Sequence, residues 1–90
     1  MITLYTKHYC PYCVQAKMLL NEWNVPFKEK NIETFPDARE FLRNEGHGTV
    51  PQIYRNGRLL VEGGYDGLVA TGQVQLNERL GNIDVSDFKL

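Results

Sequence analysis

Cysteine, net charge and long apolar runs are all scarce in this chain of 90 residues. It has two cysteines, too few for the disulfide framework of a small secreted protein. Its formal net charge of −1 gives no general attraction to nucleic acid or to an anionic membrane. No apolar run approaches the ~20 residues of a membrane-spanning helix, and the segment from Met1 to Lys7 lacks the pattern of a signal peptide. We therefore predict a cytoplasmic protein that binds neither nucleic acid nor membrane.

Length and composition predict a single small domain over residues 1–90. Hydrophobic residues make up 42% of the chain and charged residues 23%, which is ordinary for a globular domain. The last helical pattern ends near Leu80, so we expect a folded core of residues 2–80. Residues 81–90 are predicted to form a polar tail that carries Ile83, Val85 and Phe88.

Both cysteines belong to one motif, Cys10-Pro11-Tyr12-Cys13. On an α-helix, residues three apart have Cα atoms about 5 Å from each other, within the range that a disulfide allows. The pair can therefore close into a disulfide and open again with little backbone movement. This spacing favours thiol–disulfide chemistry, so Cys10 and Cys13 are the candidate catalytic residues.

The two cysteines are predicted to have different roles because they differ in position on the helix. Cys10 precedes Pro11, a residue suited to a first helical turn, where unbonded N–H groups and the helix dipole stabilise an anion. We expect the pKa of the Cys10 thiol to lie below that of a free cysteine, with Lys7 adding positive charge nearby. Cys10 would then attack a disulfide, and Cys13, one turn into the helix and more covered, would resolve the mixed disulfide.

Two other interpretations of the cysteine pair are open at this point. The pair could be a structural disulfide, although one that closes so short a loop constrains the unfolded chain least. It could also bind zinc, for which His8 and His47 are the candidate further ligands. His8 is only two residues from Cys10 and no second Cys-x-x-Cys is present, so we expect no metal.

Periodicity and turn signals predict an α/β fold in the order strand, helix, strand, helix, hairpin, helix. The strands are 2–6, 27–32, 52–55 and 58–62. The helices are 11–23, 36–44 and 66–80, and Gly72 is a candidate break in the last of them. The first strand–helix–strand unit implies a parallel pair, and Asn56-Gly57 implies a two-residue hairpin. The result is a mixed four-stranded sheet with helices on both faces, and a functional site near the carboxyl end of the first strand.

Four segments together resemble glutaredoxin: Tyr5-Thr6-Lys7, Cys10-Pro11-Tyr12-Cys13, Thr49-Val50-Pro51-Gln52-Ile53 and Gly63-Gly64-Tyr65-Asp66. The resemblance covers residues 2 to about 80. It implies the thioredoxin fold, a four-stranded mixed sheet flanked by about three helices. It also implies a groove that binds glutathione, used as co-substrate without a metal, and an enzyme that reduces protein disulfides and glutathione mixed disulfides.

The resemblance implies a role for each matching residue. Cys10 matches the nucleophile and Cys13 the resolving cysteine. The glycyl end of glutathione would meet Lys7 and Tyr12, and its cysteinyl part would pair with the backbone of Thr49 and Val50. Pro51 matches a proline preceded by a cis peptide bond. The γ-glutamyl end would be bound by three residues that open the last helix, namely Gly64, Tyr65 and Asp66.

The chain departs from the resemblance around its last strand. Gly67 stands where many glutaredoxins have a second acidic residue, so part of the γ-glutamyl contact would be missing. The strand before Gly63 is about two residues longer than usual, and Glu62 replaces an apolar residue. We expect a bulge or a longer hairpin to absorb the difference. Arg39 on the second helix could help bind the glycyl carboxylate, although its register is about one position off.

The predicted function is glutathione-dependent thiol–disulfide oxidoreduction by a monomer whose partners are glutathione and disulfide-containing proteins. Ribonucleotide reductase is one candidate target, although nothing in the sequence names it. An alternative is a similar reductant that receives electrons from thioredoxin reductase. A further alternative is a module that binds a metal or an iron–sulfur cluster without turnover, which Pro11 disfavours because cluster-binding members usually carry another residue there.

Overall fold

The computed structural model describes residues 1–81 of the chain, and the predicted tail beyond Gly81 lies outside them. Three helices alternate with four strands in the predicted order. The elements are β1 (Ile2–Thr6), α1 (Pro11–Glu22), β2 (Phe27–Asn31), α2 (Pro36–Asn44), β3 (Gln52–Arg55), β4 (Arg58–Val61) and α3 (Gly64–Leu80). Strands β2 and β4 each end one residue before the predicted boundary, and α3 begins two residues earlier than predicted.

The four strands form one mixed sheet in the order β2-β1-β3-β4. Strand β1 pairs in parallel with β2, because the intervening helix α1 carries the chain back to the starting edge. Strand β3 is antiparallel to both β1 and β4. The β3–β4 turn has positive φ at Asn56 (54°) and Gly57 (80°), the conformation that favours these two residue types in a tight hairpin. The predicted mixed sheet is therefore confirmed.

The two faces of the sheet are covered by different helices. On one face, Leu4 and its cross-strand partner Ile53 are buried among apolar residues of α1 and α3. These residues are Ala16, Leu20, Leu68 and Leu76. On the other face, Phe41 of α2 stacks on Tyr5 at 5.7 Å and meets Tyr54 edge-on at 5.2 Å between ring centroids. Period-two alternation along β1 and β3 thus divides the apolar residues between two packing layers.

A bulge in β4 absorbs the extra length of the hairpin. Ile53 pairs with Val61 while the next residue, Tyr54, pairs with Leu59, so Leu60 has no cross-strand partner. The carbonyl of Leu60 instead accepts a hydrogen bond of 2.9 Å from the Arg79 guanidinium on α3. The bulge that the sequence predicts is confirmed, and its displaced backbone group is satisfied by a side chain.

Helix α3 is interrupted where the sequence places a glycine. Gly72 has φ 77° and ψ 166°, a backbone conformation outside the helical region, and helical geometry resumes after it. The predicted split of the last helix is confirmed. None of the helices in residues 1–81 has both the length and the apolar character that a membrane crossing requires.

Candidate active site

The cysteine pair lies at the start of α1, as predicted. Cys10 is the N-cap residue, with extended backbone angles, and Pro11 opens the helix. The Sγ atom of Cys10 accepts a hydrogen bond of 3.2 Å from the backbone N–H of Cys13. The two Cα atoms are 5.2 Å apart, and the two sulfurs form a disulfide. The sulfur of Cys10 therefore takes the place that a capping oxygen has in other helices, where backbone donors stabilise negative charge.

The two sulfurs differ in burial in the predicted direction. Cys10 is 7% exposed and Cys13 is 2% exposed. Cys10 also faces the loop before β3, where its Sγ lies 3.9 Å from the Val50 carbonyl oxygen. Cys10 is thus the more accessible of the two cysteines, and it lies beside the Thr49–Val50 backbone.

The start of the loop that leads to Cys10 is tied to two other elements. Thr6, the last residue of β1, donates a hydrogen bond of 2.7 Å to the Glu29 carboxylate of β2. Lys17 of α1 lies 3.2 Å from the same carboxylate. The hydrogen bond from Thr6, helped by Lys17, holds the pKa of Glu29 below its usual value, although burial opposes the shift. Glu29 therefore connects the two strands and the helix that together position the cysteine pair.

The loop before β3 presents its backbone toward the cysteines. The Val50–Pro51 peptide bond is cis, as the resemblance implied. Gln52, the next residue, is buried, and its Nε2 donates a hydrogen bond of 3.0 Å to the Thr49 carbonyl oxygen. This bond between one loop residue and the start of β3 holds the Thr49–Val50 segment in place.

A cavity of about 580 Å³ opens beside this loop, and most of the predicted site residues line it. Its lining includes seven of the residues that the resemblance singled out: Tyr12, Thr49, Val50, Pro51, Gly64, Tyr65 and Asp66. The rings of Tyr12 and Tyr65 lie 6.0 Å apart between centroids. Gly64 has φ 63°, and a Cβ there would lie 3.1 Å from the Pro51 carbonyl oxygen, so the close approach of α3 to the loop favours glycine.

A second cavity, of about 420 Å³, continues on the other side of Thr49 and Val50. It contains Lys7, the residue that the resemblance assigns to the glycyl end, and Arg39, whose register in the sequence had left its role open. Arg43 also lines it and was not predicted, although its spacing of four residues from Arg39 places both on one face of α2. The two cavities share Thr49, Val50 and His47, so they form one groove, and its shared wall includes Val50, whose carbonyl oxygen lies 3.9 Å from the Cys10 sulfur. We refer to the cavity that contains Lys7, Arg39 and Arg43 as the basic cavity, and to the cavity that contains Glu62 and Asp66 as the acidic cavity.

His47 is held at the junction of the two cavities by a residue of the core. Its Nε2 lies 2.8 Å from the hydroxyl of Tyr54, and that hydroxyl donates a hydrogen bond of 3.0 Å to the Glu45 carboxylate. Because the tyrosine proton is given to Glu45, Nε2 of a neutral His47 is the donor to Tyr54. The sequence predicted His47 only as a candidate zinc ligand, since nothing local indicates a partner on β3.

The two histidines that the sequence offered as zinc ligands contact other side chains in the structure. His47 contacts Tyr54, and the Nε2 of His8 lies 4.0 Å from the Glu33 carboxylate. Within residues 1–81, no group of three or more His, Cys, Asp or Glu side chains is arranged to hold a metal ion. The cysteines are joined to each other as a disulfide.

The buried hydroxyl of Tyr54 makes the stability of the protein depend on alkaline pH. Burial and the neighbouring Glu45 raise the pKa of Tyr54 from 10.0 to about 12. The folded state therefore keeps this proton to higher pH than the unfolded chain does. The contribution of the protonated Tyr54 to the free energy of unfolding is complete below pH 10 and is lost as the pH rises toward 12. We expect the free energy of unfolding, measured with urea, to fall by up to about 1.4 kcal/mol per pH unit in this window from Tyr54 alone.

The Tyr54→Phe variant is the control for this pH dependence. It should show a shallower decline than the native chain, with a remainder due to Tyr5, whose pKa is also raised by burial. Equal slopes for the two proteins between pH 10 and pH 12 would contradict the assignment to Tyr54.

Gly67 is required by the path of the chain after β4. A Cβ built at Gly67 would lie 1.8 Å from the carbonyl oxygen of Glu62 and 2.8 Å from its carbonyl carbon. The backbone of Glu62 therefore occupies the space that a side chain at position 67 would need. The two departures noted in the sequence, Gly67 and the longer hairpin that ends in Glu62, have one common structural cause.

The chain is similar in sequence to known glutaredoxins. The glutaredoxin family model matches residues 2–60. Glutaredoxin 3 of Escherichia coli is 40% identical over 70 residues, which cover 77% of this chain and 82% of that protein. A glutaredoxin of Pseudomonas aeruginosa is 43% identical over 54 residues, 59% of this chain and 64% of that protein.

A solved structure supports the same assignment at the level of the fold. The holo form of glutaredoxin C1 from Populus tremula x tremuloides superposes with a TM-score of 0.73 at 27% identity, over 90% of this chain and 76% of that one. The four-stranded mixed sheet with its three helices is thus that of a thioredoxin fold. The chain belongs to the glutaredoxin family, whose members are generally thiol oxidoreductases.

Proposed function

We propose that this protein is a glutathione-dependent thiol–disulfide oxidoreductase. The observation that supports this most directly is the groove beside Cys10, which has opposite charges at its two ends. The basic cavity has three cationic side chains, Lys7, Arg39 and Arg43, against one carboxylate, Glu33. The acidic cavity contains Glu62 and Asp66 and no lysine or arginine of the described residues. Glutathione has a matching polarity, because its glycyl end carries only a carboxylate while its γ-glutamyl end carries an ammonium group.

The groove offers a distinct contact to each part of glutathione. The glycyl carboxylate would lie in the basic cavity, and the γ-glutamyl carboxylate would face the backbone N–H groups at the start of α3. The cysteinyl part would pair with the backbone of Thr49 and Val50, at the junction of the two cavities. This pose brings the glutathione sulfur to the side of Cys10 that faces the Val50 carbonyl.

In the proposed reaction with a glutathione mixed disulfide, the Cys10 thiolate attacks the glutathione sulfur. The old S–S bond breaks, the substrate leaves as a thiolate that takes up a proton, and glutathione remains bonded to Cys10. The thiolate of a second glutathione then attacks the bound glutathione sulfur. This releases glutathione disulfide and restores the Cys10 thiolate.

With a protein disulfide, Cys13 has a necessary part in the proposed reaction. Cys10 forms the mixed disulfide with the protein, and the Cys13 thiolate attacks the Cys10 sulfur, which releases the reduced protein. The product is the Cys10–Cys13 disulfide, the state seen in this structure. Two glutathione molecules then reduce it. The proposal places this reaction in the cytoplasm, with the protein as a monomer and ribonucleotide reductase as one candidate target.

A coupled assay tests the proposed function. The protein is given a glutathionylated peptide, glutathione, glutathione reductase and NADPH, and the loss of NADPH absorbance is followed. We expect steady turnover, and none when thioredoxin reductase replaces both glutathione and its reductase. Turnover with thioredoxin reductase alone would instead favour the alternative reductant, and a visible absorption band in the purified protein would favour a cluster-binding module.

Lys7 provides a prediction for the basic cavity. We expect Lys7→Ala to lower kcat/KM for the glutathionylated peptide by about fivefold, since an exposed charge pair contributes about 1 kcal/mol or less. Arg39 and Arg43 would keep part of the attraction. Lys28→Ala is the matched control, because Lys28 is exposed on β2 and lines neither cavity. Equal activity of the two variants would remove Lys7 from the binding site.

A further inference from the structure

The loop between α2 and β3 contains the Thr49–Val50 segment, and hydrogen bonds to β3 hold this segment from both sides. After the segment, the side chain of Gln52 donates to the Thr49 carbonyl oxygen at 3.0 Å. Before it, the Nε2 atom of His47 lies 2.8 Å from the hydroxyl of Tyr54. Gln52 and Tyr54 both belong to β3, so this strand fixes both ends of the segment that is proposed to pair with glutathione.

Tyr54 is a rigid support for the contact with His47. It is 1% exposed, and its ring meets Phe41 of α2 and Tyr5 of β1 edge-on, at 5.2 and 5.6 Å between centroids. The ring of His47 also meets it edge-on, at 5.8 Å between centroids. Side chains in a closely packed core keep to one arrangement, so the Tyr54 hydroxyl is a fixed point to which the loop is bonded.

The directions of the hydrogen bonds keep this contact intact in both charge states of His47. The Tyr54 hydroxyl donates its proton to the Glu45 carboxylate at 3.0 Å, so it accepts from His47. A neutral His47 therefore carries its hydrogen on Nε2, and a second proton is taken up at Nδ1. The donor at Nε2 is the same in either form, so the loop stays bonded to Tyr54 across the pH range in which histidines titrate.

The contact connects the core to the groove. His47 is half-buried and lines both the basic and the acidic cavity, whereas Tyr54 lines neither. Gly48 joins His47 to Thr49, and a Cβ at Gly48 would meet no atom within 4 Å, so packing at this position does not hold the backbone. A binding segment that is already held in one position loses less conformational freedom when a ligand binds, which strengthens binding. The bond between His47 and Tyr54 supplies such order just before the segment.

We infer that Tyr54 is a positioning residue for the reaction with glutathionylated substrates. Its buried hydroxyl orients His47 and thereby holds the Thr49–Val50 backbone in place for pairing with glutathione. This inference rests on the proposed function and adds to it a core residue that does not line the groove. Tyr54 therefore raises kcat/KM for a glutathionylated substrate and leaves the reactivity of the Cys10 thiolate unchanged.

The test uses Tyr54→Phe, which removes the hydroxyl and keeps the ring in the core. Two rates are measured at neutral pH: kcat/KM for a glutathionylated peptide at a fixed glutathione concentration, and alkylation of Cys10 by iodoacetamide in the reduced protein. Iodoacetamide lacks the peptide groups that would pair with the loop, so its rate reports the thiolate alone. We expect kcat/KM to fall about fivefold, the size of one neutral hydrogen bond, and the alkylation rate to stay at the native value. An equal fall in both rates would overturn the inference.

Two comparisons separate positioning from a general effect on the core. Tyr5→Phe removes a hydroxyl from the neighbouring ring of the same cluster and should keep the native kcat/KM. In a His47→Ala background, Tyr54→Phe should cause no further loss, because the hydroxyl acts through His47. The inference is wrong if Tyr54→Phe costs as much in that background as in the native chain, or if Tyr5→Phe costs as much as Tyr54→Phe. The proposed function fails separately, if the native protein shows no turnover with glutathione at all.

Discussion

Replacing Cys10 with serine is expected to abolish turnover of every disulfide substrate. The hydroxyl of serine stays protonated near neutral pH and does not attack sulfur. Serine is nevertheless a preferred N-cap residue, so its oxygen can accept the Cys13 N–H bond that the Cys10 sulfur accepts now. The fold should therefore survive the exchange, and the coupled assay together with a circular dichroism spectrum checks both parts. Residual turnover above about one percent of the native rate would exclude Cys10 as the nucleophile.

The companion variant Cys13→Ser is expected to keep the reduction of glutathione mixed disulfides and to lose the reduction of protein disulfides. Reduction of a glutathionylated peptide needs only Cys10 and glutathione, so it should persist at a rate within a fewfold of the native protein. Reduction of a protein disulfide needs the second thiol to release the mixed disulfide, so it should fall to background. The mixed disulfide with the protein substrate should then accumulate, and non-reducing electrophoresis detects it. Loss of both activities in a folded variant would contradict the assigned roles.

Replacing Gly67 with alanine is expected to destabilise the fold more than any surface exchange. The added Cβ would lie 1.8 Å from the Glu62 carbonyl oxygen, a backbone atom that moves only if the end of β4 or the start of α3 shifts. Such overpacking costs about 3 kcal/mol or more, a large part of the stability of a small domain. We expect the thermal midpoint to fall by about 10–20 °C, given the usual dependence on free energy for this chain length.

Gly48→Ala is the matched control for this prediction. A Cβ at Gly48 would have no atom within 4 Å, and its φ lies outside the left-handed range. Its thermal midpoint should stay within a few degrees of the native value. A Gly67→Ala variant as stable as the Gly48→Ala control would show that the Glu62 carbonyl does not block position 67.

Most of the fold could be predicted from local signals. The Asn56-Gly57 turn, Pro11 at the first turn of α1 and the glycine in the middle of α3 each act through the conformation of their own backbone, which neighbours in sequence determine. The pairing of Cys10 with Cys13 was predictable for the same reason, since both residues lie on one helical turn. The resemblance supplied the predicted binding residues that are far apart in sequence, from Lys7 to Asp66.

The remaining features of the site depend on contacts between distant elements, which a single sequence does not display. Only the packing of the α2–β3 loop on the sheet joins His47 to Tyr54, and only the fold of α2 brings Arg43 to the cavity that contains Lys7.

What the sequence by itself determined was the order of helices and strands and a redox-active cysteine pair, because periodicity, turn residues and the three-residue spacing all act within one or two turns of chain. What only the tertiary structure decided was the shape and charge of the groove. In the sequence, Gly67 indicated that one carboxylate was missing from the site. The structure shows that the backbone of Glu62 fills the space that a side chain at position 67 would need. Charge in a binding site depends on which surfaces meet, and those surfaces are set by long-range packing that no local pattern records.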